Sequence, residues 1–125
     1  MQRDKFIKIV LNTISDLPEE FRDLIENVDI VVEDWPSRRQ LRQVGLTHRS
    51  ELFGLYEGIP RTERGQRYNL VLPDKITIFQ KPIEEQCSDP DDLKLEIART
   101  VKHEIAHFFG LDETTMDKIE HGSDI

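Results

Sequence analysis

His103, Glu104 and His107 lie in the run His103-Glu104-Ile105-Ala106-His107-Phe108-Phe109-Gly110, and their spacing constrains this chain more than any other feature. Two side chains at i and i+4 on a helix differ by about 40° around the axis and about 6 Å along it. Both imidazoles therefore reach one metal ion from one face. Glu104 sits about 60° from His107, where a carboxylate flanks such an ion instead of ligating it. That is the position of a base acting on an activated water, the pattern of a zinc hydrolase. At average residue usage the pattern arises by chance in under about 1% of chains this long. It therefore outweighs the plainer reading of two helix histidines around a surface glutamate.

The residues that follow extend the pattern. Gly110 can adopt positive φ, end the helix and turn the chain back toward the metal. Zinc hydrolases of this spacing place a third ligand three residues after such a glycine. Glu113 stands there, with Asp112 beside it, and a carboxylate is a legitimate zinc ligand. The expected set is His103, His107 and Glu113, with Asp112 and His121 as alternatives for the third place. Asp112 and Glu113 also suit the start of a last short helix. With Zn²⁺ held by three protein ligands, a bound water is acidified toward pKa ~7, and Glu104 is the residue expected to take its proton. Tyr56, Tyr68, Arg61, Arg64 and Arg67 are candidates to steady the oxyanion, although Tyr56 also suits a half-buried structural place and the arginines a solvated loop.

The surrounding pattern is α+β. Phe6, Ile9, Val10 and Ile14 at helical spacing predict a helix over 5–14. Pro18, Glu19 and Glu20 open a short helix carrying Phe21, Leu24 and Ile25. Residues 28–32 are apolar and β-branched, a strand pattern. Ser37 opens a basic segment over 38–44 that ends at Gly45. Strands are expected at 51–59, 67–72 and 75–80. Ser88 or Asp89 should cap a long helix over 91–109. Leu95, Ala98, Val101, Ile105 and Phe108 form its expected packing stripe, with the two histidines lying off it.

Composition excludes several classes. The chain has 125 residues, 34% of them charged, which suits one domain over 1–125 with one modest core. No apolar run approaches the roughly 20 residues of a membrane span, and the first residues carry no apolar signal-peptide core. Cys87 is the only cysteine, so no internal disulfide forms and no cysteine metal site is available. A reducing cytoplasm is the expected location. The net charge of −8 opposes nonspecific nucleic-acid binding. A monomer acting on a peptide or protein substrate, without nucleic acid or membrane, is the expectation.

Two stretches carry a family resemblance. One runs from Glu51 through Gly54-Leu55-Tyr56-Glu57-Gly58 to Gly65. The other runs from Ile76 to Pro82 and on through the motif His103 to Glu113. Together they resemble the small bacterial zincin-like metallopeptidases, long carried as a domain of unknown function. The resemblance implies a minimal zincin-like α+β fold, with a small mixed sheet packed on the motif helix, and a peptidase activity without an assigned substrate. Members of that family often carry aspartate where Glu113 stands, one methylene shorter. No methionine turn follows, and Met116 suits core packing. Two other readings remain open: a metal-binding or protein-binding module without turnover, and a metal-dependent endoribonuclease. The endoribonuclease pattern has glycine where Glu104 stands and a third histidine.

Overall fold

Helix α1 (Arg3–Ser15) and short helix α2 (Glu19–Leu24) precede strand β1 (Asp29–Glu33) and helix α3 (Arg38–Gln43). A 3-10 turn at Arg49–Glu51 leads to strand β2 (Gly54–Glu57). Strand β3 (Lys75–Phe79), helix α4 (Gln80–Gln86) and the long helix α5 (Pro90–Phe109) follow. The computed structural model describes residues 1–26, 28–58 and 74–109, with backbone alone at 24, 108 and 109. The strand expected at 67–72 lies outside them.

β3 is the centre of the described sheet, whose order is β1-β3-β2. β1 runs parallel to β3 and β2 antiparallel, so the fold is a mixed-sheet α+β arrangement. Residues 76–79 of β3 are all buried. The period of two sends them to opposite faces. Ile76 and Ile78 join the main core with Ile97, Val101 and Ile105 of α5. Phe79 joins Leu41, Leu52 and Leu55 on the other side. Both faces of β3 are therefore covered, which is why its alternation of Ile with Thr77 and Phe79 does not mark an exposed face.

The helices follow their local signals. α1 extends slightly beyond the expected 5–14 and buries Phe6, Val10 and Thr13. Ser37 caps α3 through a capping box with Gln40, and Gly45 ends the segment with φ of 72°. Asp89 caps α5: its Oδ1 accepts from Asp92 N–H at 2.8 Å, and Pro90 takes the first helical position. Of the two expected capping residues it is therefore Asp89 that caps; Ser88 Oγ donates instead to the Asp92 side chain, at Oδ2, at 2.9 Å.

Three expectations change. The strand expected over 51–59 is confined to Gly54–Glu57, because Glu51 belongs to the 3-10 turn. The strand expected to reach Gln80 stops at Phe79, where α4 begins; Pro82 lies in the first turn of α4, where a missing N–H is tolerated. The buried stripe of α5 keeps the expected Val101 and Ile105 but is turned at its N-terminal end, away from Leu95. Leu93, Ile97, Val101 and Ile105 are buried, whereas Leu95 is 52% exposed. Leu95 lies two residues, about 200°, from both Leu93 and Ile97, and so falls on the opposite side. Ala98 packs only at the margin of the core, and the Phe108 side chain lies outside the described residues. Among the described residues no helix is long and apolar enough to cross a membrane.

The rotated stripe predicts unequal costs. Ile97→Ala should lower unfolding stability by about 2–5 kcal/mol, whereas Leu95→Ala should stay within about 0.5 kcal/mol. Urea denaturation of the two variants checks the ranking, and a larger loss at Leu95 would place the buried face wrongly.

Candidate metal centre

α5 carries the motif at the rim of the core. Glu104 and Ile105 are buried, while His103 and His107 are exposed. Glu104 is only 4% exposed, so it is not the surface glutamate of the plainer reading. A buried carboxylate is unfavourable unless hydrogen-bonded. Glu104 Oε1 accepts from Tyr56 N–H at 2.8 Å and lies 3.3 Å from His107 Nδ1.

The register of β2 explains why that N–H is available. Phe79 N–H donates to Phe53 C=O at 2.8 Å, and Gly54 lies opposite Ile78. Alternate residues of an antiparallel pair bond across the ladder. Residues 53, 55 and 57 therefore bond toward β3, and Gly54 and Tyr56 turn their backbone groups outward. β2 lies at one side of the described sheet, and the Tyr56 N–H, turned away from β3, donates to Glu104 at the seam with α5.

Gly54 sets how closely the strand and helix approach. A Cβ there would collide with Thr100 Cγ2 and come within 3.3 Å of Thr77 O and 3.4 Å of Glu104 Cγ. Only a residue without a side chain lets α5 come near enough for Glu104 to reach Tyr56 N–H.

The rings of His103 and His107 lie 4.6 Å apart, inclined at 63°. One donor atom from each of His103, Glu104 and His107 can be chosen so that all three lie within 4.8 Å of one another. Two imidazole nitrogens at this spacing suit zinc, with the Glu104 carboxylate beside them. The Glu104 hydrogen bond is the main force holding the His107 pKa above its ordinary 6.5; burial pulls the other way, and the carboxylate charge adds to the rise.

A cleft of about 400 Å³ opens beside these residues, lined by Leu52, Phe53 and Gly54 on one side and Thr100, His103 and His107 on the other. The Tyr56 hydroxyl donates to Asp74 Oδ1 at 2.6 Å. Tyr56 is half-buried, so its side chain takes the structural place and its backbone the one that touches Glu104. Gly110, Asp112, Glu113, Met116 and His121 lie outside the described residues, as do Arg61, Arg64, Arg67 and Tyr68.

A family model for zincin-like metallopeptidases matches residues 25–123. The chain belongs to this family. Among solved structures, a conserved hypothetical protein from T. thermophilus superposes on this zincin-like chain with a TM-score of 0.53. Their identity is 22%, over 87% of this chain and 94% of the other. That likeness is one of fold. No curated protein matches the chain.

The structure brings the expected His103, Glu104 and His107 together, and the spacing gave no hint of what packs against them: Tyr56 N–H, Gly54 and Thr100. A glycine inside a strand pattern was the available signal, since it marks a close backbone approach.

Two outcomes follow from the seam. In the metal-free protein, Glu104→Gln should lower the His107 pKa, read by NMR titration of the imidazole. The contact stabilises the metal-free fold fully below pH 6.5, and that stabilisation is lost as pH rises through the raised folded value. An unchanged His107 titration would contradict the contact. Separately, Gly54→Ala should destabilise by about 1–3 kcal/mol through overpacking. Adding Thr100→Ser, which removes Cγ2, should recover part of that loss in thermal denaturation; no recovery would mean the clash lies elsewhere.

Proposed function

We propose that this chain is a zinc-dependent peptidase in which Glu104 is the general base. One observation carries the reading: a buried carboxylate, tied to a strand edge, sits beside two exposed histidines at the mouth of a cleft. His103 and His107 would hold the metal. Glu113, three residues past Gly110, would complete the set. When bound, zinc supplies Lewis acidity toward a carbonyl oxygen and a water.

The chain's own residues supply the rest. Among the described residues, the contacts of Glu104 gather on Oε1, which leaves Oε2 to take the proton of the attacking water. Glu104 then returns that proton to the leaving nitrogen. Tyr56 N–H holds the carboxylate against swinging into the metal's ligand set. β2 lines the cleft with Gly54 and Leu55, and an extended peptide laid along it would present its carbonyl near His103 and His107.

Elemental analysis and a peptide-library digest test the reading together. Glu104→Gln should keep its zinc while turnover falls by on the order of 10²–10⁴. Glu113→Ala should lose more zinc than Asp112→Ala. Cleavage that survives in Glu104→Gln would remove Glu104 as base. A zinc-loaded wild type that cleaves nothing across a broad library would favour a binding module instead.

A further inference from the structure

α3 stands apart in an acidic chain. The protein has 25 Asp and Glu against 17 Lys and Arg, yet α3 reads Arg38-Arg39-Gln40-Leu41-Arg42-Gln43. Gln40 and Leu41 are its buried residues. Arg38, Arg39 and Arg42 are exposed and fall within about 100° of one another around the axis. Among the described residues none of the three has an ion-pair partner. Three like charges on one helical sector repel each other, and nothing in α3 offsets them.

The helix is held firmly. Ser37 Oγ accepts from Gln40 N–H at 3.1 Å, and Gln40 Oε1 accepts from Ser37 N–H at 2.8 Å. Gln40 Nε2 also reaches Glu57 Oε1 on β2 at 3.4 Å. The arginines therefore project from a fixed platform beside the sheet edge.

A second groove runs along this platform. Arg39 and Gln43 of α3 and Val44 just after it line one side, and Tyr56, Lys75 and His107 line it from the strands and α5. Val44, Leu55 and His107 also line the first cleft. The two depressions thus meet at His107, and Arg39 lines the second of them.

We propose that this groove takes an acidic segment of a peptide substrate, with Arg39 pairing a carboxylate and Arg38 and Arg42 steering the approach. Guanidinium forks suit carboxylates. Asp29 and Glu57 lie in the same groove, and Glu57 pairs with Lys75 at 3.8 Å. Those acids disfavour the unbroken phosphate run of a nucleic acid but leave room for spaced carboxylates. The substrate class rests on the peptidase reading above; the binding of acidic peptide does not.

The test uses zinc-loaded full-length Glu104→Gln, so that bound peptide persists. Fluorescent peptides of equal length, one rich in Asp and Glu and one with Asn and Gln in their place, are compared by anisotropy. The acidic peptide should bind about tenfold more tightly, the worth of one charge-assisted hydrogen bond, and salt should erode the difference. Adding Arg38→Gln, Arg39→Gln and Arg42→Gln together should abolish the preference. A control with Lys5→Gln, Lys8→Gln and Lys94→Gln, exposed residues with the same total charge change, should retain it. If the triple arginine variant melts early, Arg39→Glu alone gives the same comparison.

Equal binding of the two peptides overturns the inference, as does a preference that survives loss of the arginines. Single-stranded RNA of matched charge binding more tightly than the acidic peptide also overturns it. Wild type that cleaves neutral and acidic peptides equally leaves a peptidase but removes this specificity. Acidic peptide that binds through the arginines, with no cleavage by wild type, removes the peptidase and leaves the groove.

Discussion

The hydrogen bond from Tyr56 N–H to the Glu104 carboxylate joins the motif helix to the edge of the sheet, and much of the site depends on it. Among the described residues β2 lies at one side of the sheet, and its Tyr56 N–H points away from β3. A buried carboxylate is unfavourable without hydrogen bonds. The N–H supplies one, and the pairing occurs at the seam where the cleft opens. Gly54 makes it possible by letting the strand approach Thr100 without a side chain between them. The same contact fixes where Glu104 Oε1 lies relative to His107, and through it the basicity of that histidine.

α5 serves the core and the site at once. Leu93, Ile97, Val101 and Ile105 bury against β3 and α1. Further around the same helix, Thr100 and Glu104 face the strand edge, and His103 and His107 face the cleft. A helix anchored this heavily on one side holds the neighbouring sector still. Two imidazoles on successive turns then keep their spacing without any loop to order them, which is the preorganisation a metal centre needs.

Charge is distributed unevenly about this centre. The chain is acidic as a whole, yet the short helix beside the second groove carries three arginines that pair with no acid among the described residues. The proposed reaction groups sit on α5, while the proposed recognition groups sit on α3 across β2. Gln40, bonded to Glu57, ties the two regions to the same strand.

Much of this was legible in the residues. The i, i+4 histidines with a glutamate between them come together on one sector of α5, because helical geometry alone places them. Capping signals at Ser37 and Asp89, the positive-φ glycine at Gly45 and the apolar runs of β1 and β3 are equally local, and the structure follows them. Periodicity put Val101 and Ile105 rightly on the buried face of α5 but took Leu95 in place of Ile97, since both are apolar and only the partner surface decides which is covered. α4 was hidden because residues 80–86 carry no strong stripe and a proline. The register that turns Tyr56 N–H outward, the close approach at Gly54 and the meeting of two grooves at His107 arise between segments far apart in the chain. No local spacing encodes such contacts; they exist only once β2, β3 and α5 have packed together.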